Sequence, residues 1–349
     1  MAAAKEIEGL DCESGALEGI ALVLWTRFGE MYDLRGEALG HEDAKGVHDM
    51  RVASRRLRSV LRDFRGFYER KGLPKRRLKE VAGALGDVRD QDVAIHALEK
   101  MRAEAGDAAA EGIEQLINER RELRESARAK LGLVIAEEPL SELQQKFFTW
   151  LEHMGGGGRD KRGARRSHGS AQSLSFRQAG VEVIESRLKE LLELGDSVYH
   201  PYEFETLHRA RIAAKRLRYA LELFSPCWGG RLKPIAHDVS ELQTALGDLR
   251  DCDTWIADLG PRLDHRRGQS DAIVLRVADL PVRPAAARLL NHFVKERGDH
   301  FNRALTLWQE WETEGFFGRM RETLHDAQAN APEPPAGEPA PEPTPTARS

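Results

Sequence analysis

Two short runs of this 349-residue chain place cations at every third or fourth position. The first carries His48, Arg51, Arg55, Arg58 and Arg62, and the second carries His208, Arg211, Lys215 and Arg218. A guanidinium stays charged and offers a flat fork of donors that matches phosphate oxygens, so a row of them suits a linear polyanion. At 100° per residue the first five side chains share an arc about 80° wide and spread over about 21 Å of helix axis. Met50, Ala53, Leu57, Val60, Leu61 and Phe64 fall on a different arc. The apolar stripe would therefore face a core while the cations face away from it.

Most charged helix faces are simply solvated. Such a face interleaves acids with bases, because like charges three and four residues apart repel by a few tenths of a kcal/mol per pair. Here Asp49 and Asp63 project to other angles and no carboxylate enters the cationic arc. A row without its own counterion points to an external anion. In the second run Ala210, Ala213, Leu217, Ala220, Leu221 and Phe224 take the apolar side, and Glu222 stands in the place of Arg62, which shortens that row. His48 and His208, at the heads of the rows, suit phosphate donors, weak cations or packing residues, and their position favours anion contact. Arg56 and Arg216 within the runs, and Lys79, Arg120, Arg128, Lys233 and Arg303 beyond them, are secondary anion-binding candidates. Each of these taken alone reads as ordinary surface.

The runs are copies. His-x-x-Arg-x-x-x-basic-Arg-Leu-Arg occurs at His48 and at His208, a separation of 208 − 48 = 160 residues. Leu85-Gly-Asp-Val-Arg-Asp-Gln-Asp92 returns as Leu246-Gly-Asp-Leu-Arg-Asp-Cys-Asp253, with Gly247 − Gly86 = 161. Two motifs repeated in order at one spacing indicate an internal duplication. A glycine inside a helix costs roughly 1 kcal/mol against alanine, so close helix approach is its expected use. The aspartates of this motif could hold a metal, serve as acid and base, or pair with arginines of the preceding helix. Structural pairing is the favoured role for Asp87, Arg89, Asp90, Asp248, Arg250 and Asp251. A metal pair of Asp92 and His96 fails because Ala257 replaces the histidine in the second copy. The chain has no Gly-x-x-x-x-Gly-Lys loop, Gly-x-Ser-x-Gly elbow or His-Glu-x-x-His run, so nothing points to catalysis, a metal or a cofactor.

Helices must hold these rows. Helical periodicity runs almost throughout and alternating β-branched segments are missing, so an all-α fold is expected. The expected helices are 15–40, 43–71, 74–104 and 108–153, the last broken at Pro139, then 172–197, 202–225, 231–259 and 282–327, with an irregular stretch from Pro261 to Pro284. Short connections favour two antiparallel four-helix bundles, one over 15–154 and one over 172–328, related by a pseudo-twofold around a basic groove. A segment of 14 residues precedes them, a Gly/Arg-rich linker over 155–171 joins them, and a proline-rich tail over 329–349 reads as disordered. Hydrophobic content of 41% gives each unit a core. The net charge is only −4, so any anion site depends on local segregation of charge. Cys12, Cys227 and Cys252 lack paired or metal-type spacing, which argues against disulfides and for a reducing compartment. No signal peptide or membrane span is visible, and a cytoplasmic location is expected.

The two motif pairs, covering roughly Ala16 to Leu324, resemble the CHAD domain, the conserved-histidine α-helical domain. That resemblance implies two four-helix bundles related by a pseudo-twofold that bind inorganic polyphosphate in a central basic groove without catalysis. It also implies polyphosphate contacts at His48, Arg51, Arg55, Arg58, His208, Arg211, Lys215 and Arg218, and association with polyphosphate or storage granules. Some members carry a triphosphate-tunnel domain; Glu6-x-Glu8-x-Leu10 lacks the lysine of its signature, so a stand-alone module is expected. The alternatives are nucleic-acid binding, disfavoured because no aromatics interleave the rows, and a metal-dependent phosphohydrolase working through the duplicated aspartates.

Overall fold

A computed structural model of the chain describes residues 5–40, 44–155, 174–263 and 282–326. The expected linker beyond Gly155, most of the stretch expected to be irregular, and the proline-rich tail lie outside these residues. The described residues are helical, with one isolated antiparallel bridge between Gly15 and Ser175. In chain order the helices are α1 (Ala16–Asp33), α2 (Arg35–Leu39), α3 (Ala44–Asp63), α4 (Lys75–Ala103), α5 (Asp107–Val134), α6 (Glu137–Gly155), α7 (Phe176–Leu192), α8 (Phe204–Phe224), α9 (Leu232–Leu263), α10 (Val282–Thr313) and α11 (Phe316–His325).

The two cationic rows lie on α3 and α8, and the motifs containing Gly86 and Gly247 lie on α4 and α9. Local chemistry sets several boundaries. Ser175 and Gln178 form a reciprocal capping box at the start of α7, which satisfies amides that the first turn would otherwise leave free. Gly315, at φ +68°, ends α10 and starts α11, dividing the helix expected over 282–327. The break expected at Pro139 falls earlier, at Ile135 and Ala136, and Pro139 occupies the first turn of α6. A missing N–H costs little in a first turn because no intrahelical acceptor awaits it. The helices expected over 15–40 and 43–71 are likewise shorter, with breaks at Leu34 and after Asp63.

The apolar stripe of α3 packs as its periodicity requires: Met50, Ala53, Leu57, Val60 and Leu61 are buried, and so is Phe64 just beyond the helix. The cores, however, do not separate at the expected linker. One apolar cluster joins Phe28, Leu57, Phe64 and Phe147 to Phe176, Leu217, Phe224 and Trp308. A second cluster joins Ile95, Leu98, Ile113 and Ile117 of the α4/α5 hairpin to Leu259, Val282, Leu289 and Phe293 of the α9/α10 hairpin. Both halves of the chain therefore contribute to both cores. Phe64, at the end of α3, lies with its ring centroid 5.8 Å from Phe224 at the end of α8, which fixes the two cationic helices beside each other. At Gly180 of α7 a Cβ would come within 2.7 Å of the Phe224 ring, so only glycine admits that ring.

The cysteine expectation is overturned. Cys12 and Cys227 form a disulfide across 215 residues of sequence, and Cys252 is a buried free thiol. Sequence spacing could not show the pairing because tertiary structure creates it. The backbone carbonyls of Cys12 and Ser14 accept hydrogen bonds from the amides of Arg177 and Phe176, which lays the N-terminal segment along the start of α7. Cys227 follows α8 in the short 3₁₀ turn Ser225–Trp228. Among the described residues no helix is long and apolar enough to cross a membrane.

Candidate anion-binding site

The fold brings the two cationic rows together. Lys215 lies among the charges of Arg55, Arg211, Arg62 and Arg216, so cations from α3 and α8 interleave across one face. Arg51 lies near Arg211, and Arg62 lies near Arg216. The guanidinium carbon of Arg55 sits 5.8 Å from the centroid of the Tyr219 ring on α8. Arg58 is exposed, whereas Arg51, Arg55, Arg62, Arg211 and Lys215 are half-buried.

Counterions are scarce on this face. Arg51 has a carboxylate partner, Asp90, at 3.5 Å. Among the described residues Arg55, Arg58, Arg62, Arg211 and Lys215 have no carboxylate within ion-pair distance. Burial, together with the surrounding guanidiniums, pushes the Lys215 ammonium down from its ordinary 10.5 to about 7. Burial likewise lowers His48, aided by Arg89, and lowers His208, aided by Arg250. Both shifts favour the neutral imidazole in the free protein.

Arg218 is set apart from the rest of its row. It is buried, donates to the Ser240 hydroxyl at 2.9 Å, lies 3.4 Å from Glu222 and packs over the Tyr219 ring. Glu222 thus neutralises the second row where Arg62 extends the first. Arg56 projects to another side of α3, near Arg27, Glu30, Tyr219 and Glu222, and Arg216 pairs with Glu190. Of the outlying candidates, Arg120 bridges the two hairpins through Asp258 at 2.6 Å, and Arg128 donates to the carbonyl of Gly40. Arg303 is exposed and 3.9 Å from Glu241, and Lys79 and Lys233 are exposed.

The aspartate motif divides into two kinds of contact. Its outer carboxylates face the arginine rows: Asp90 pairs with Arg51, and Asp251 senses Arg211 and lies close enough to Asp248 and Asp90 for burial and repulsion to raise its pKa. Asp87 lies beside Asp90, and the Asp248 carboxylate lies 3.9 Å from His300. Its last carboxylates turn inward instead. Asp253 is buried and bonded to Arg297 of α10 at 2.6 Å, and Asp92 is buried with Arg124 of α5 at 3.9 Å. Arg89 and Arg250, expected to pair with these carboxylates, have no carboxylate within ion-pair distance among the described residues and sit beside His48 and His208. Their recurrence next to a duplicated histidine is the signal that could have marked them as neighbours of His48 and His208. No group of three or more His, Cys, Asp or Glu side chains is arranged to hold a metal among the described residues.

The chain is similar to known proteins over most of its length. An uncharacterised protein of Mycobacterium tuberculosis, MT2285, is 26% identical over 238 residues, which is 66% of this chain and 41% of that protein. A second uncharacterised protein of that organism, Rv2226, matches to the same extent, so the chain spans about two fifths of the length of the curated relatives it matches. The crystal structure of the CHAD domain from the plant Ricinus communis has a TM-score of 0.58 at 20% identity, covering 93% of this chain and 96% of that one. PptA from Streptomyces chartreusis has a TM-score of 0.55 at 16% identity, covering 85% and 100%. These two share the fold. The CHAD domain family model matches residues 24–260, a span that holds both histidine-arginine motifs and both glycine-aspartate motifs, and the chain therefore belongs to the CHAD family.

Proposed function

We propose that the protein binds inorganic polyphosphate, without catalysis, along a basic groove between α3 and α8. The observation that carries this reading is the juxtaposition of Arg55, Arg58, Arg62, Arg211 and Lys215 with no carboxylate in ion-pair distance among the described residues. A linear polyanion supplies charge at every few ångströms and neutralises such a face along its length, whereas orthophosphate reaches only part of it. Arg51, Arg89 and Arg250 extend the face toward His48 and His208. Arg218, held by Ser240 and Glu222, contributes to the shape of α8 and not to the contact. In this reading the two halves are copies that each supply one wall, the first supplying more cations than the second. Association with polyphosphate or storage granules is the setting this reading favours, and the Cys12–Cys227 disulfide sets it against a reducing compartment.

The test is a titration with polyphosphates of graded length at several salt concentrations. Affinity is expected to rise with chain length, and log K to fall against log salt with a slope of about −4, on the basis of five to six neutralised phosphates. Replacing Arg51 and Arg55 together with alanine is expected to weaken binding roughly 100-fold with the fold retained, because two charge-assisted contacts of about 1.5 kcal/mol each are lost. Equal affinity for short and long chains would defeat the proposal. Effective competition by single-stranded RNA would favour a nucleic-acid partner. Phosphate release with Mg²⁺ that disappears in Asp90→Asn would favour a hydrolase.

A further inference from the structure

Tyr219 continues the second row without being a cation. It lies one turn beyond Lys215 on the same side of α8, where the first copy, at the repeat spacing of 160 residues, carries Ser59. Its side chain is buried, and its hydroxyl meets no hydrogen-bond partner among the described residues. What it presents to its neighbours is the ring. Two guanidiniums lie over that ring, Arg218 with its central carbon 4.9 Å from the centroid and Arg55 of α3 at 5.8 Å, both within the roughly 6 Å over which an aromatic face attracts a cation. One comes from each wall of the groove.

The two arginines are otherwise held differently. Arg218 lies 3.4 Å from Glu222 and donates to the Ser240 hydroxyl, so its charge is met inside the protein. Arg55 has no carboxylate within ion-pair distance, and its buried Nε meets no hydrogen-bond partner, among the described residues. Its charge remains available to a ligand.

We infer that Tyr219 is a positioning residue for the anion site: its ring seats the Arg55 guanidinium of α3 against α8, so that a cation of the first wall is anchored on the second. The inference rests on the polyphosphate reading and names what presets its geometry. A carboxylate in this place would hold Arg55 but would also neutralise it and repel the incoming phosphates. A ring face holds the cation through its quadrupole and leaves the full charge for the ligand. Arginine has several rotatable bonds, and restricting them before the ligand arrives removes an entropic cost from binding. The ring also eases the crowding of like charge, because Lys215 stands close to Arg55. The first copy does not repeat the device, since Ser59 bonds to Asp63 at 3.2 Å.

Tyr219→Phe, Tyr219→Leu, Arg55→Ala and the double variants form cycles in polyphosphate affinity, with thermal stability measured alongside. Tyr219→Leu is expected to weaken binding about fivefold, the scale of one partly desolvated cation–π contact, and to have no further effect once Arg55 is alanine. Tyr219→Phe keeps the ring and is expected to bind within about twofold of the parent. Replacing Tyr219 by phenylalanine bearing one, two and three fluorines keeps the ring's shape and drains its face of electron density. Affinity is expected to step down along that series while Arg55 is present and to stay level when Arg55 is alanine. If Tyr219→Leu fails to fold, the fluorine series, which leaves the packing in place, decides alone. A level series with Arg55 present would overturn the inference, and so would equal losses with and without Arg55, which would assign the ring to Arg218 or to packing. Failure of the parent protein itself to bind polyphosphate would defeat the functional reading instead, so the two outcomes are distinguishable.

Discussion

At the scale of single residues, Lys215 is the most informative group because its environment sets a pH dependence. Burial and then Arg55, Arg211, Arg62 and Arg216 hold its ammonium down at about 7, against an ordinary 10.5. An anion placed among those cations reverses the repulsion and raises the pKa, so binding between pH 7 and the bound-state value draws in a proton. Polyphosphate affinity is accordingly expected to fall as pH rises above 7. Titration calorimetry at pH 7.5 in buffers of different ionisation heat is expected to show net proton uptake in the parent protein and almost none in Lys215→Arg. Uptake that persists in Lys215→Arg would assign the proton elsewhere. In the free protein the same shift has the opposite sense for folding. The unfolded lysine holds more protons between pH 7 and 10.5, so this residue's contribution to stability grows as pH rises through that window.

Residues also show where a helical wheel stops being informative. Arg58 and Arg218 occupy equivalent places in the two rows, yet one is exposed and the other buried. The difference comes from neighbours. Arg218 has Ser240 and Glu222 to receive it, whereas at the same repeat spacing the first copy has Lys79 and Arg62 in those places, both cations. The arc was legible in the sequence because helix geometry is rigid over one element. Burial of Arg218 was not, because Ser240 belongs to the next helix and its approach is a tertiary fact.

At the scale of elements, the inward aspartates show how the third and fourth helices of each half are clamped. Asp253 to Arg297 and Asp92 to Arg124 each tie a buried carboxylate to the next helix, α9 to α10 and α4 to α5, the first as a buried pair and the second with a half-buried arginine. Their acids were visible in the repeated motif, but their partners lie 44 and 32 residues away, outside any local pattern. Removing one partner of a buried pair leaves an uncompensated charge, which typically costs about 3–5 kcal/mol. Asp253→Ala is expected to lose roughly that much in urea unfolding while the folded fraction still binds polyphosphate. Asp92→Ala is expected to lose less, since Arg124 stands 3.9 Å away compared with 2.6 Å for Arg297. A loss of affinity in Asp253→Ala without loss of stability would place Asp253 in the anion site and refute the clamp. Helix existence was legible from periodicity throughout, whereas the breaks at Leu34, Ile135 and Gly315 depended on local backbone geometry.

At the scale of the whole molecule, the two apolar clusters and the disulfide bear on how the halves fold. Each cluster draws side chains from both halves, so neither half keeps a closed core when the other is lost. The Cys12–Cys227 bond adds a covalent tie between the N-terminal segment and the turn after α8. A composition argument could not foresee this, because buried apolar content says how much core exists and not how it is divided. Unfolding is therefore expected to be a single cooperative transition. Trp228 and Trp308 in the larger cluster should report the same midpoint as Trp255, which stacks on Phe293 at the second. Closing a loop of 215 residues restricts the unfolded chain, and the loop-entropy relation assigns that restriction about 5 kcal/mol. Reduction, or Cys12→Ser, is expected to lower the urea midpoint accordingly without splitting the transition. Two separated transitions in the reduced protein would show that the disulfide, and not the shared cores, holds the halves to one another.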